Sequence, residues 1–366
     1  MQILLSLFYF FYFAIVGVYI IFMPKVLAMT GYSASEIGII FAAAPLVRFI
    51  MPLAFIMGLK IDRNMFNTSL LIALISAVSF YFSLNDFYAL LFSNISLGIG
   101  MSIMLPFIEV ISLETMGKER YGRIRLFGSV GFVLVALVLV KYLSAPVIAL
   151  NYLLFATVMT SVVAFFIVRN SGATKKKEDD YTNDISLLND WRLWLGLTLM
   201  QVSFGSFYNF FTIYETDFGM SLDMTIYLWS FGILAEIVML FFQGRFLKDN
   251  LLLILQITTF ASAFRWLLVY LFPQNITILF FSQSLHALSF ALFHSAAISY
   301  LYHTYKHKAL AQQLFSGITY GMGGFLGALF AGYIYGWYPR ELFLSSALFA
   351  SLSFLYLYLH SKKISN

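Results

Sequence analysis

Apolar residues run along this chain in long blocks, broken at intervals by short clusters of charged residues, glycine, proline or asparagine. The blocks fall at about 3–23, 35–58, 67–84, 88–113, 125–143, 147–168, 192–214, 223–243, 250–271, 276–300, 310–335 and 341–360. A bilayer core about 30 Å thick takes roughly 20 apolar residues per helix, so the pattern predicts twelve spans. The shallowest break is the one near Ser144 to Pro146. The expected fold is therefore an all-α polytopic membrane protein, and too few residues remain for a large soluble domain.

Composition strengthens this picture. Of 366 residues, 61% are hydrophobic, 19% aromatic and only 11% charged, and the mean hydropathy is +0.86. No soluble core of this length needs so much apolar material. The absence of cysteine removes disulfides, thiolate metal sites and cysteine nucleophiles together. Met1 and Gln2 precede the first block without a basic stretch, and no small-residue cleavage site follows it. That block is expected to remain as a helix rather than be cut away as a signal.

Charge then sets the orientation. With an even number of spans both termini share a side. One set of loops carries Lys60, Arg63, Lys118, Arg120, Arg123, Arg125, Arg169, Lys175, Lys176, Lys177, Arg192, Arg245, Lys248, Lys306, Lys308, Lys362 and Lys363, while the other carries Lys25, Lys141 and Arg340. Loops rich in lysine and arginine stay inside, which predicts cytoplasmic termini.

The polar stretch RNSGATKKKEDDYTND, Arg169 to Asp184, separates spans six and seven and reads as a flexible linker. The expected organisation is a six-helix bundle over 1–168, a cytoplasmic linker over 169–190 and a second six-helix bundle over 191–366. GLKIDR after span two and GRFLKD after span eight place Gly58 and Gly244 186 positions apart. Such a recurrence fits two parallel repeats related by an axis along the membrane normal, although two short loops can also agree by coincidence.

Charges within the apolar blocks are the candidate chemistry. Arg48, Glu236 and Arg265 lie inside spans two, eight and nine, and Glu109 lies in the inner part of span four. Each costs at least ~2.5 kcal/mol at mid-membrane, so these groups are expected to face one another or a wet cavity. By helical rise, Arg48 and Glu236 lie about 20 Å from the outer ends of their spans and His286 about 15 Å down span ten. Two acids and two arginines sum to zero, which suits pairs that break and re-form as a carrier changes state; fixed ion pairs that only hold helices together are the other reading. His286 and His294 add groups that titrate near neutrality.

A metal centre is not expected, because no span carries two ligands at helical spacing. No cofactor is expected, and the chain is not expected to be an enzyme, since the catalytic patterns HEXXH, GXSXG and P-loop are absent. Span eleven, GITYGMGGFLGALFAGYIYG, has small residues spaced for close helix approach. In YGRIRLFGSVGF, Tyr121 to Phe132, the glycines match no nucleotide fingerprint, and the loop is too short for a nucleic-acid patch. Glu109 and Glu114 precede Arg123 and Arg125 across one short turn, which points to a Glu–Arg gate at the cytoplasmic mouth, joined by Asp62 and Arg63 of the first loop.

Taken in order, these features resemble the major facilitator superfamily. GLKIDRN, Gly58 to Asn64, is a degenerate form of its first-loop signature. Within the superfamily the chain is most similar to the phenylpropionate permease-like group, related to lactose permease and nucleoside:proton symporters. The matching pieces are GYSASEIG (Gly31 to Gly38), Arg48 with Pro52, PFIE (Pro106 to Glu109), YGRIRLFGSVGF, Glu236, the Phe264–Arg265–Trp266 triplet, QSLHALSFALFH (Gln283 to His294) and AQQLFSGITYGMGG.

The resemblance implies a twelve-helix carrier in a bacterial inner membrane, acting as a monomer on protons and a small organic solute such as an aromatic acid, nucleoside or sugar. Lactose permease uses a glutamate in span eight, an arginine in span nine, and a histidine and a glutamate in span ten. Glu236, Arg265 and His286 match the first three, whereas Ser289 stands where that second glutamate is expected. The proton role then falls to Glu236, His286 or Glu109. Arg48, Arg265, Gln283 and His294 are the candidate substrate contacts, with the solute expected between the halves. A proton antiporter is the alternative reading, and an integral-membrane enzyme or a non-transporting sensor is more remote.

Overall fold

The computed structural model describes residues 1–56, 62–171, 187–247, 249–306 and 308–365. Gly58, Lys60, Lys175, Lys176, Lys177 and Lys248, and with them most of the expected linker, lie outside the described residues. Helices account for nearly all of the described chain, and no strand occurs among the described residues. Among the described residues, eleven helices are long and apolar enough to cross a membrane. Large apolar side chains such as Phe82, Phe92, Phe241 and Phe260 remain exposed on them, as expected of a surface wetted by lipid rather than water.

The remaining expected span, 192–214, does not form one helix. It consists of two helices of 13 residues, Trp191–Ser203 and Gly205–Asp217, joined at Phe204. Gly205 has no Cβ and lies against the backbone of Gly327 in span eleven, where any side chain would collide. Glycine favours the helix little, so the break falls where close packing demands the smallest residue. The helix also runs past 214, to Asp217.

Spans four and five share one stretch of helical backbone, Phe87–Tyr142. A straight helix would separate Glu109 from Arg125 by about 24 Å, yet their side chains meet at 3.2 Å. The chain therefore doubles back between them, leaving two membrane-length segments, Phe87–Met116 and Arg123–Tyr142. The shallow break near Ser144 is real: helix ends at Tyr142 and resumes at Pro146. Asp62 caps the helix Arg63–Ser83, its Oδ1 accepting from the Met65 N–H at 2.7 Å.

Two compact units result, Met1–Glu178 and Asp179–Asn366. In the first, span one packs on spans five and six. Gly131 lies so close to span one that a Cβ would strike the carbonyl of Phe10. In the second, span seven packs on spans eleven and twelve, and a Cβ on Gly323 would lie 2.8 Å from the carbonyl oxygen of Thr198. Small residues thus bring backbones together at equivalent interfaces in both units.

Among the described residues, three spans contain a wide, π-helical turn: Val18–Phe22 in span one, Ala287–Leu292 in span ten and Phe315–Met322 in span eleven. In span one a cause is evident, since Pro24 has no N–H to offer the carbonyl of Ile20. The 186-residue offset that joins Gly58 to Gly244 also joins Val18 to Phe204, so both first helices depart from α geometry at the same place.

Candidate functional site

The second unit gathers three of the expected residues, Gln283, His286 and Glu236, around Arg265. This arginine is fully buried on span nine. One terminal nitrogen donates to Gln283 Oε1 at 2.7 Å, and the other contacts His286 Nδ1 at 2.9 Å and Ser289 Oγ at 3.2 Å. The three partners occur at i, i+3 and i+6 on span ten, one helical face. Span eight reaches the same point, with Glu236 Oε2 3.4 Å from His286 Nε2. Gly232, one turn before Glu236, faces Gln283 and His286 and leaves span ten room to approach.

The proton positions follow from the donors. A guanidinium offers only N–H groups, so His286 Nδ1 must accept and the imidazole carries its proton on Nε2, facing the carboxylate. Arginine, histidine and glutamate then form one directed line, Arg265 to His286 to Glu236. Glu236 keeps 16% of its side chain exposed against 6% for His286, so the acid is the more accessible end of the line.

Aromatic rings enclose the cation. The Arg265 guanidinium carbon lies 4.2 Å from the Trp266 ring centre and 4.4 Å from that of Phe207, where the ring quadrupole attracts a positive charge. Phe290 stacks on the His286 imidazole with an interplanar angle of 2°. These contacts help a buried charge to persist in a setting that lacks water.

The first unit holds a looser polar group. Arg125 pairs with Glu109 at 3.2 Å, and its guanidinium stands over Phe13 and Tyr9 of span one. Tyr9 donates to Ser112 Oγ at 3.3 Å and Tyr12 to the Met101 carbonyl at 3.2 Å. Arg48 is exposed on span two and shares electrostatic range of the Tyr12 hydroxyl with Glu109 and Arg125. Arg63, Glu114 and Arg123 are exposed, and Asp62 is the helix cap described above.

His294 stands apart from the Arg265 group. Its Nδ1 meets the Tyr320 hydroxyl at 2.7 Å, linking span ten to the wide turn of span eleven. Ser289 was expected only as a missing acid, yet it is an Arg265 ligand. Glu215 lies one residue beyond the apolar block 192–214 and so does not stand out in the sequence. It is fully buried, and its spacing from Phe207 and Phe211, four and eight residues, already placed it on a buried helical face.

Comparison with known proteins gives the family of the chain. A "Probable 3-phenylpropionic acid transporter" of Escherichia coli (strain K12) is 24% identical over 363 residues, 94% of each chain. The uncharacterised transporter YwbF of Bacillus subtilis (strain 168) is 26% identical over 252 residues, 64% of this chain and 61% of that one. Among solved structures, a point mutant of the nucleoside transporter NupG superposes with a TM-score of 0.82 at 15% identity, covering 99% of both chains. The POT family transporter PepTSo gives 0.76 at 8% identity, covering 98% of this chain and 96% of that one. Residues 2–345 match the MFS_1-like family, and the chain belongs to that family: it is a multi-pass membrane transporter of the major facilitator type.

Proposed function

We propose that this transporter is a proton-coupled symporter that carries a small organic anion, an aromatic acid of the phenylpropionate kind, by alternating access. It would act as a monomer in a bacterial inner membrane with both termini in the cytoplasm, an orientation supported by the distribution of lysine and arginine. The observation that carries the reading is the Arg265–His286–Glu236 line.

Charge balance gives the coupling. With Glu236 ionised, the line is neutral. A proton on Glu236 leaves an uncompensated positive charge in a buried setting, which costs several kcal/mol. An incoming carboxylate restores neutrality, so proton and anion each favour the other's binding, and the coupling is reciprocal. Arg265, and Arg48 on exposed surface, are the candidate cations for the carboxylate, and the rings of Phe204, Phe207 and Phe290 suit an aryl body. Gln283 holds Arg265 in place. His294, bonded to Tyr320, is kept as a substrate contact of lesser reach. The E. coli relative, named as a probable 3-phenylpropionic acid transporter, supports an aromatic acid.

Uptake into proteoliposomes under an imposed pH gradient tests this reading. Gradient-driven accumulation of 3-phenylpropionate is expected; no driven flux of any aromatic acid, nucleoside or sugar would sink it, and efflux in exchange for entering protons would make it an antiporter. Glu236→Gln fixes the acid in its uncharged form. It is expected to abolish accumulation while exchange of labelled for unlabelled substrate continues.

We also place a cytoplasmic gate at the Glu109–Arg125 pair, with Asp62, Arg63, Glu114 and Arg123 around it. Exposures of 29% and 41% screen this pair, so its contribution to stability is at most ~1 kcal/mol. Arg125→Ala is expected to slow uptake severalfold with little change in thermal midpoint. An unchanged rate would remove the pair from the gate.

A further inference from the structure

A second acid lies in the second unit, away from the line just described. Glu215, near the end of the helix Gly205–Asp217, is 0% exposed. Neither of its carboxyl oxygens has a hydrogen-bond partner among the described residues. Two residues on, Asp217 is exposed and accepts from the Tyr335 hydroxyl at 2.8 Å. The contrast matters, because the same short segment offers water and a donor to one acid and denies both to the other.

Phe207, Phe211 and Glu215 follow one another at four-residue intervals and so share a face. On that face Phe207 packs on Trp229 and Trp266, and Phe211 on Trp229 and Phe343. An ionised carboxylate enclosed without water or a donor is strongly disfavoured and takes a proton instead. Tyr214, the residue before Glu215, lies within electrostatic range of that acid, of Tyr270 on span nine, of Tyr335 on span eleven and of Arg340 and Glu341 at the start of span twelve, and Asp217 follows on the same helix. None of them hydrogen-bonds to the Glu215 carboxyl among the described residues. A metal ion is a poor occupant, since a hard cation needs six or so oxygens and no ligand cluster occurs among the described residues.

We propose that Glu215 is a second proton-binding site of the carrier, loaded in this conformation and emptied when its helix carries it to water. The break at Phe204 makes Gly205–Asp217 a separate helix, able to shift without dragging the rest of span seven. The proposal rests on the symport reading, and it adds one coupled proton to that of Glu236.

Steady-state accumulation measured against imposed pH gradient, with the membrane potential clamped at zero, counts coupled protons. Each one multiplies the limiting ratio by about tenfold per pH unit. The logarithm of the ratio is expected to rise with slope two in the wild type and slope one in Glu215→Gln. A wild-type slope of one, or identical slopes in the two proteins, overturns the second site while leaving symport intact; no wild-type accumulation at any gradient overturns symport itself.

Infrared difference spectroscopy reads the same carboxyl without flux. At neutral pH the wild type should show the carbonyl stretch of a protonated acid, shifted by deuterium oxide, displaced in Glu215→Asp and missing in Glu215→Gln. Absence of that band in the wild type, or its survival in Glu215→Gln, refutes the proposal even where a variant transports too poorly for its slope to be measured.

Discussion

Arg265→Leu will abolish transport and lower the stability of the folded protein by about 3 kcal/mol or more. The substitution leaves Gln283 Oε1, Ser289 Oγ and His286 Nδ1 buried without the donor they share, and it takes from Glu236 the cation that answers it across a neutral imidazole. Each orphaned group costs about 1–3 kcal/mol. Arg265→Lys should not restore function. A lysine keeps the charge but cannot span two acceptors with a planar fork or stack flat on Trp266 and Phe207.

Two measurements separate the electrostatic part from the packing part. The thermal midpoint of the detergent-purified protein should fall in Arg265→Leu and recover in part when Glu236→Gln is added, because the second change removes the stranded charge. Transport should remain absent in the double variant. Full activity in Arg265→Leu would end the role assigned to this residue, and a double variant no more stable than the single would show that Glu236 does not answer its charge.

Gly205→Leu will fail to give folded protein. Its Cβ would fall on the backbone of Gly327, and backbone cannot turn aside as a side chain can. Overpacking in a core typically costs about 1–3 kcal/mol; a clash between two helix backbones should exceed that range. Size-exclusion chromatography of a fluorescent fusion is the direct readout, with loss of the monodisperse peak expected. Gly244→Ala is the control, since an added Cβ meets nothing within 4 Å. A normal peak for Gly205→Leu would mean that spans seven and eleven have slack at their crossing.

Hydropathy and charge made most of the architecture legible. Each apolar block between loops is long enough to cross a bilayer, and the charge set Glu236, Arg265 and His286 stood out because a charge in such a block needs a partner. The partners Gln283 and Ser289 were visible only as residues sharing a face with His286. The pairing of Glu109 with Arg125 rather than with a neighbour such as Arg123 depends on how tightly the chain doubles back, which spacing alone does not fix.

Two features were illegible for a common reason. The apolar block of span seven ends at 214, one residue before Glu215, in a run that turns polar from Glu215 to Asp217, so the burial of this acid is not visible in hydropathy. Hydropathy also treats an apolar run as one rod, so nothing marked the break at Phe204 except the glycine after it. Both depend on neighbouring helices: the break on span eleven, whose Gly327 lies against Gly205, and the buried face of Glu215 on the spans that supply Trp229, Trp266 and Phe343. A pattern along one helix carries no record of the helix beside it.

The wide turn at Ala287–Leu292 lies between His286, which faces the arginine, and His294, which faces Tyr320. Such a turn holds one residue more than an α-turn, and relaxing it to α geometry would rotate everything beyond it by about 100° about the helix axis. The two histidines are consequently not locked in phase. Gln283 and His286 precede the turn and can keep their hold on Arg265, with Ser289 inside it as the contact that changes, while span ten re-indexes the face it presents to span eleven, as a clutch lets one half of a shaft turn while the other stays engaged.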